Sequence, residues 1–199
     1  MKLLLVPELS VQFVLFCVFC LTILILLWYY LYYFARLAFH KETGKLPTVN
    51  FPPASIVICA KNEDHNLPEF LPLVLSQDYP EYEVVVVDDC SSDNTADMLR
   101  EFEKTYKNLK VITIIEDRKH HHGKKFAVMV GIKGAKNDHL LFTDGDCKPL
   151  DNQWLKKMMQ NFSNETEIVL GYSKYKKLPG FLNKIIRFDT FLIALQYLS

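Results

Sequence analysis

The sequence predicts an α/β fold, in which a mostly parallel sheet is flanked by helices and preceded by one transmembrane helix. Short runs rich in valine and isoleucine alternate with helical stretches from residue 54 onwards, and several of these runs are apolar at nearly every position. Strands of this kind are buried on both faces, as in parallel sheets whose connections are helices. An uncharged stretch near the N-terminus predicts the membrane helix.

The predicted elements alternate regularly along the chain. The predicted strands are ASIVICA (54–60), EVVVVDD (83–89), LKVITII (109–115), HLLFTDGD (139–146) and EIVLGY (167–172). The predicted helices are LPEFLPLVLSQ (67–77), TADMLREFEKTY (95–106), GKKFAVMVGIKGA (123–135) and WLKKMMQNF (154–162). Each helix connects two strands, which is typical of a doubly wound sheet. We therefore expect the carboxyl ends of the strands to meet at one edge of the sheet.

The uncharged stretch Val11–Phe34 is long enough to cross a hydrocarbon core of about 30 Å at about 1.5 Å per residue. A secretory signal would have a shorter apolar region and a small-residue cleavage site. Aromatic residues gather at the C-terminal end of the stretch, and Arg36, Lys41 and Lys45 follow. The positive-inside rule then predicts a single-pass protein of the cell membrane, with its downstream domain facing the cytoplasm.

The chain divides into four predicted segments. These are a transmembrane anchor (1–40), a linker (41–53), a globular domain (54–175) and an apolar helix (176–199). Glycine and prolines in the linker interrupt any continuous helix. The apolar helix is either an ordinary core helix, which we favour slightly, or a helix that needs a partner surface, such as further protein or the membrane interface.

Composition excludes several classes of protein. The 23 basic and 23 acidic side chains balance, so the chain lacks the basic excess of a nucleic-acid-binding protein. Among the five cysteines, Cys17 and Cys20 have the spacing of a zinc ligand pair, but they lie in the uncharged stretch without further ligands. A reduced compartment fits these cysteines better than a disulfide framework.

Acidic residues follow the first four predicted strands. They are Glu63 and Asp64, Asp88 and Asp89, Glu116 and Asp117, and Asp144 and Asp146. Such a concentration is costly unless a cation binds there, and Mg²⁺ takes one or two protein carboxylates together with substrate phosphates. Asp144 and Asp146 suit this role because residues i and i+2 of a strand project to the same side. A short acidic pair can also merely cap a turn.

Two further motifs lie at the predicted sheet edge. In VVVVDDCSSDNT, Asp93 is predicted to cap the next helix, whereas Asp89 requires a hydrogen-bond donor from a ligand. In HHHGKKFAVMVG, Gly123 and Lys124 stand at a helix start, where backbone N–H groups and a lysine can bind a phosphate. We do not expect the adjacent histidines 120–122 to converge on one metal ion.

Together, SIVICAKNED, YEVVVVDDCSSDNT, GKKFAVMVG and LLFTDGDCKP resemble the amino-terminal half of a family 2 glycosyltransferase with the Rossmann-like GT-A fold. The resemblance covers residues 54 to about 172. It implies inverting transfer of a sugar from a nucleoside-diphosphate donor, with Mg²⁺ or Mn²⁺ assisting the diphosphate leaving group. Uridine is the commonest base in the family. The membrane anchor favours a lipid-linked or envelope glycan acceptor.

The resemblance also implies roles for individual residues. The nucleotide-binding residues would be Cys59, Lys61, Glu63, Asp89 and Asp144, to which the helix-start argument adds Lys124. The metal ligand would be Asp146, and Asp144 with Asp146 would form the catalytic pair.

Inversion requires a general base, which the sequence does not reveal. In the family it is usually an aspartate downstream of the Asp-x-Asp pair, where this chain offers Asp151, Glu165, Glu167 and Asp189. We expect Asp151 to cap a helix and the glutamates to flank a strand. The prediction is therefore that the acceptor-binding half is missing. The chain would be a fragment of a longer transferase or, less favoured, an inactive homologue that binds the donor without catalysis.

Two other classes of protein share parts of this pattern. A response-regulator receiver domain has an acidic pair after its first strand, whereas Asp88 and Asp89 follow the second predicted strand. A haloacid-dehalogenase phosphatase has Asp-x-Asp after its first strand and then Thr or Val two residues on, where this chain has Lys148. The positions of both motifs therefore disfavour these classes.

Overall fold

The structure is a computed structural model that describes residues 11–39, 51–115, 123–163 and 165–198. The helices and strands are α1 (Val11–Ala38), β1 (Ala54–Ala60), α2 (Leu67–Leu75), β2 (Tyr82–Asp89), α3 (Thr95–Thr105), β3 (Leu109–Ile114), α4 (Lys124–Gly134), β4 (His139–Asp144), α5 (Trp154–Met159) and α6 (Phe181–Leu198). Parts of the predictions lie outside the described residues, namely residues 1–10 and 40 of the anchor, linker residues 41–50, Glu116, Asp117, the three histidines His120–His122 and residue 199.

The described chain forms two compact units. Leu46–Gly171 contains the four strands and α2 to α5, and a second unit combines Met1–Lys45 with Tyr172–Ser199 and contains α1 and α6. In the first unit the strands form one parallel sheet in the order β3-β2-β1-β4. The predicted α/β architecture is therefore confirmed. The strand order reverses between β1 and β4, which leaves a crevice at their carboxyl ends.

Helices cover both faces of the sheet. The valines of β2 alternate between the two faces, with Val84 and Val86 packing in a core with residues of α2, α3 and α5. Val85 and Val87 pack against α4 on the other side. All four side chains are fully buried, and burial of each contributes about 1.5–3 kcal/mol to the stability of the domain.

Helix α4 packs closely on the sheet because it carries a glycine at the contact. A Cβ atom added at Gly131 would lie 2.5 Å from Cγ1 of Val57 in β1. Helix α4 connects β3 to β4 and therefore begins next to the carboxyl edge of the sheet. Its close packing fixes where its first residue, Lys124, stands relative to the strand ends.

Two of the predictions are wrong. Residues 167–172 do not form a strand, and the nearest strand-like pairing is a single bridge between Ser163 and Thr166. The side chains of Ile168 and Leu170 are exposed, so this segment has no core to enter. Helix α6 forms as predicted but is not a core helix, because most of its apolar side chains, Phe181 and Phe188 among them, are exposed.

Helix α1 has the composition and length of a membrane span. Within it, residues Val11–Tyr32 have a mean hydropathy of 2.7, and none of the most apolar window is buried. Among the described residues it is the one helix that is long and apolar enough to cross a membrane. The predicted N-terminal apolar helix is therefore present as a candidate span.

Candidate functional site

The strand register places the predicted site residues side by side at the carboxyl edge of the sheet. Cys59 of β1 is paired with Asp144 of β4, and Ala60 is paired with Asp88 of β2. The loops that follow these strands surround a cleft of about 400 Å³, which is within the range of small-molecule sites. All seven predicted site residues line it, namely Cys59, Lys61, Glu63, Asp89, Lys124, Asp144 and Asp146. Ala60, Gly123 and Gly145 complete the lining.

An ion pair crosses the cleft. Nζ of Lys124, the first residue of α4, lies 2.7 Å from Oδ1 of Asp144 at the end of β4. The hydrogen bond to Asp144 raises the pKa of the Lys124 ammonium, so the lysine is positively charged at neutral pH. Both side chains are about half or more exposed, and such pairs contribute little to stability. The pair is therefore available to exchange partners with a ligand.

Cys59 is a neutral thiol in this setting. Burial raises its pKa, against the opposing effect of the Lys124 charge. The carboxylates of Asp144 and Asp89 raise the same pKa further. Because only the thiolate is a strong nucleophile or soft-metal ligand, the structure gives Cys59 a packing and contact role in the cleft wall.

The adjacent acids at the end of β2 differ in their hydrogen bonding. Asp88 is buried, and its Oδ1 accepts the backbone N–H of Ser91 at 3.1 Å, which closes the turn after the strand. Asp89 is only 7% exposed, and among the described residues its Oδ1 has no hydrogen-bond partner. A buried acceptor without a partner costs about 1–3 kcal/mol or more when charged. Since Asp89 lines the cleft, a ligand can supply the missing donor.

The loops after β1 and β2 are cross-linked to each other. Asn62, in the left-handed conformation at φ 57°, receives the backbone N–H of Ser92 on its Oδ1 at 2.8 Å. The hydroxyl of Ser91 accepts from the backbone N–H of Asn62, and that of Thr95 accepts from the backbone N–H of Glu63. These bonds hold one wall of the cleft in a fixed shape. Sequence reasoning missed this network, although asparagine in a polar loop is a signal for the left-handed conformation.

Gly145 allows the loop after β4 to approach the loop after β1. A Cβ at this position would lie 3.2 Å from Cγ of Glu63 and 3.5 Å from Cβ of Ala60. The Asp-Gly-Asp spacing therefore does more than separate two carboxylates, because the glycine lets the acids of β4 stand directly beside the first strand end. Glu63 is held in turn by a 2.7 Å hydrogen bond from the side chain of Asn66.

The cleft offers a hard cation a partial set of ligands. Asp144 and Asp146 are both exposed at the cleft, yet no three or more His, Cys, Asp or Glu side chains within the described ranges are arranged to hold a metal. This donor set fits an ion such as Mg²⁺ or Mn²⁺, which completes its shell with water and substrate phosphate oxygens. It does not fit a structural zinc site, which needs four protein ligands.

Other predicted acids are engaged in local structure. Oδ1 of Asp93 accepts the backbone N–H of Thr95, the first residue of α3, at 3.0 Å, which closes a turn just before the N-cap residue Asn94. Oδ1 of Asp151 accepts the backbone N–H of Gln153 just before α5, at 2.9 Å. Neither carboxylate lines the cleft. Both carboxylates therefore stabilise the turns that precede α3 and α5.

The geometry defines a doubly wound α/β domain with a ligand site at its topological switch point, lined by four acids and two lysines. Comparison with known proteins narrows this class. The sequence model of the family described as Glycosyl transferase family 2 matches residues 55–193. The chain belongs to this family, and the predicted resemblance is confirmed.

Individual relatives share part of the chain. Glycosyltransferase AglE of Haloferax volcanii is 34% identical over 146 residues, which are 72% of this chain and 46% of that protein. Poly-beta-1,6-N-acetyl-D-glucosamine synthase of Staphylococcus epidermidis is 30% identical over 133 residues, which are 66% of this chain and 31% of that protein. The chain thus spans less than half the length of these relatives.

A solved structure supports the fold. The mannosyltransferase PcManGT from Pyrobaculum calidifontis, in complex with GDP-Man and Mn²⁺, is similar with a TM-score of 0.58 and 27% identity. The similar region covers 67% of this chain and 39% of the mannosyltransferase. The GT-A character of the fold predicted from the sequence is therefore confirmed.

Proposed function

We propose that this protein binds a nucleoside-diphosphate sugar in the cleft at the β1/β4 switch point and serves metal-dependent, inverting transfer of the sugar. The single observation that carries the proposal is the convergence of seven predicted side chains, from three strand ends and one helix start, on one cleft. Family membership supports the same reaction class. Four acids and two lysines around so small a volume suit a ligand that combines hydrogen-bond donors, phosphates and a cation.

Asp89 is the proposed contact for the nucleoside. Its buried Oδ1 lacks a partner among the described residues, and an N–H of a base or a hydroxyl of a ribose would satisfy it. Nearby, Cys59, Lys61 and Glu63 line the wall that the fixed loops form. A rigid, pre-formed wall lowers the entropic cost of binding, which favours a flat nucleoside at this end of the cleft.

Lys124 and the start of α4 are proposed to meet the diphosphate. The free N–H groups of a helix start and a lysine ammonium attract phosphate oxygens. Lys124 already spans the cleft to Asp144, so a small rotation of its side chain would exchange a carboxylate oxygen for a phosphate oxygen. Asp144 would then be released to accept a ribose hydroxyl.

Asp146 is the proposed protein ligand of the metal ion. Its carboxylate is exposed at the cleft mouth, where water and diphosphate oxygens can complete the shell of Mg²⁺ or Mn²⁺. When bound, such an ion stabilises negative charge on the leaving diphosphate by several kcal/mol. The similar mannosyltransferase structure contains Mn²⁺ with GDP-Man, which supports the metal and leaves uridine and guanosine as the two bases to compare.

Helix α1 is proposed to anchor the domain at the cell membrane in a single pass. Arg36, Lys41 and Lys45 follow its apolar span in the sequence, and the positive-inside rule then puts the cleft on the cytoplasmic side. An acceptor that is lipid-linked or part of an envelope glycan suits this location. The poly-beta-1,6-N-acetyl-D-glucosamine synthase among the relatives supports a glycan acceptor.

A second candidate function is donor binding without transfer by these residues alone. It is favoured by one observation, that among the residues the structure describes no carboxylate after Asp146 lines the cleft to act as a general base. The two candidates differ in turnover and share the binding step. Release of the free sugar or its transfer to an acceptor therefore distinguishes them once binding is established.

Isothermal titration calorimetry of the detergent-solubilised chain with UDP and with GDP, each with Mn²⁺, tests the proposal. We expect one nucleotide to bind, chelation of the metal to abolish binding, and Asp146→Asn to weaken it about tenfold or more. Asp138→Asn is the matched control, because it makes the same charge change just before β4, outside the cleft. Absence of binding, or equal affinity in both variants, would overturn the assigned site.

A further inference from the structure

Helix α6 exposes its apolar side chains and covers part of its polar ones, which is the reverse of a helix on a water-exposed surface. One stripe of less exposed residues is polar or small and consists of Asn183, Arg187, Thr190 and Ala194, which recur at the spacing of one helix face. Leu192 and Leu195 are also half-buried and lie outside this stripe. Ala194 is 2% exposed. Asn183 is also engaged, because its side chain accepts the backbone N–H of Leu178 and donates to the carbonyl of Lys176.

The exposed side of α6 is mostly apolar, with Lys184, Asp189 and Gln196 as its exposed polar side chains. Phe181, Leu182 and Phe188 are 78%, 70% and 64% exposed, and four further large apolar side chains of the helix, Ile185, Phe191, Ile193 and Tyr197, are between 45% and 51% exposed. A surface helix in water shows the opposite arrangement, with its polar stripe outward. A continuous apolar patch of this kind marks contact with a protein or a membrane.

The charges around this apolar side are basic. The segment 172–198 contains Lys174, Lys176, Lys177, Lys184 and Arg187 against the single acid Asp189. The first three lysines precede the helix and are exposed. Lysines beside an apolar helix face attract anionic lipid headgroups.

Helix α6 also shares its surroundings with the candidate membrane span. Helices α1 and α6 contact each other and belong to one compact unit. No residue in the apolar window of α1 is buried, and most of the large apolar side chains of α6 are exposed. A lipid surface with anionic headgroups would cover both helices with one medium and supply a counter-charge to the lysines of residues 174–177.

We infer that α6, together with the basic segment 174–177, lies in the membrane interface with its apolar side in the acyl region and its lysines at anionic headgroups. The inference rests on the membrane anchor of the proposed function. It adds a second attachment, which would hold the unit containing α6 against the lipid surface, in addition to the single span of α1.

Photolabelling tests this arrangement. The full chain is reconstituted in vesicles of phosphatidylcholine with phosphatidylglycerol that carry a diazirine in the acyl chain, and labelled residues are mapped by mass spectrometry. Helix α1 is the positive control and α3, whose helix is amphipathic in the usual sense, is the negative control. We expect labelling of Phe181–Leu198 about tenfold above that of α3.

The outcomes separate the inference from the anchor. If α1 is labelled but the labelling of α6 is no higher than that of α3, the inference is overturned and the membrane anchor stands. The same conclusion follows if α6 is cross-linked to protein in place of lipid. Absence of label from both helices would overturn both. Nucleotide binding in the calorimetric assay depends on neither result.

A matched pair of variants tests the role of charge. Lys176→Glu with Lys177→Glu should lower α6 labelling about tenfold in anionic vesicles, because two attractive charges become repulsive. Lys107→Glu with Lys133→Glu makes the same change at exposed positions of the other unit and should leave labelling unchanged. Equal labelling in both variants, or equal labelling of the unmodified chain in purely zwitterionic vesicles, would overturn the anionic preference.

Discussion

Nζ of Lys124 lies 2.7 Å from Oδ1 of Asp144, so the first residue of α4 is linked to the last residue of β4 across the cleft. The two residues are 20 positions apart in the sequence and meet because α4 crosses the sheet before β4 is added. In the proposed function this pair holds the cleft ready for a diphosphate. The ammonium is already at the place where phosphate oxygens would arrive.

Replacing Lys124 should therefore affect binding more than stability. Lys124→Met removes a charge-assisted contact worth about 1.5–3 kcal/mol, so we expect nucleotide affinity to fall by about tenfold to a hundredfold in calorimetry. The melting temperature should hardly change, because the pair is exposed. Lys125→Met is the control, since its exposed side chain does not line the cleft. An affinity loss of the same size in both variants would contradict the assignment.

The two acids at the end of β2 should separate binding from folding. Asp89→Ala removes a buried carboxylate whose Oδ1 has no partner among the described residues, so unfolding free energy should stay the same or rise while nucleotide affinity falls about tenfold or more. Asp88→Ala leaves the N–H of Ser91 without its acceptor, and we expect a loss of about 1–3 kcal/mol in stability. Denaturant titration and calorimetry of both variants measure the two effects. The reverse pattern would exchange the roles of the two residues.

The sequence was sufficient for the strands that form the centre of the sheet and for the residues at their ends. β1 and β2 are recognisable because each has a central run of apolar residues that are mostly β-branched, and acids follow or end that run. The segment 167–172 has a similar composition but does not form a strand, since a strand also needs a neighbouring edge and an apolar layer to cover it. Residue composition indicates only in part whether such an apolar layer is present.

Contacts between distant loops were beyond sequence reasoning. The bond from Ser92 to Asn62 joins residues 30 positions apart, and it depends on the left-handed backbone of Asn62 as much as on residue type. The same holds for the burial pattern of α6, because its apolar content is consistent with both a core helix and a helix that needs a partner surface, and the exposure of its apolar side chains contradicts the first. Apolar content predicts that a helix will be covered, but it does not identify the protein or lipid that covers it.

Because α4 packs closely on the sheet, we expect alanine substitutions at two glycines of the helix to change stability differently. An added methyl at Gly131 would meet Val57, whose Cγ1 would be 2.5 Å away, and a β-branched side chain in a core strand has little freedom to move. At Gly134 the nearest atom is the flexible end of Ile112, which can rotate away. Overpacking costs about 1–3 kcal/mol, against about 1 kcal/mol gained from the helix propensity of alanine.

We therefore expect Gly131→Ala to destabilise the protein by up to about 2 kcal/mol and Gly134→Ala to be neutral or slightly stabilising. Denaturant titration of the two variants measures the difference. Because Gly131 lies two turns from Lys124, a shift of α4 away from the sheet should also weaken nucleotide binding in the first variant only. Equal stability of the two variants would show that the sheet accommodates the extra methyl group.

Tyr79 predicts a loss of stability in alkali. Burial raises its pKa to about 12, and its hydroxyl donates a 2.6 Å hydrogen bond to the carbonyl of Pro52. The unfolded chain releases this proton near a pKa of about 10, so the stabilisation is complete below that pH and is lost as pH rises from about 10 to about 12. Thermal unfolding across this range should show a steeper decline for the unmodified chain than for Tyr79→Phe, which lacks the proton. Tyr175→Phe, at an exposed position, should keep the steep decline, and parallel curves for all three proteins would contradict this account of Tyr79.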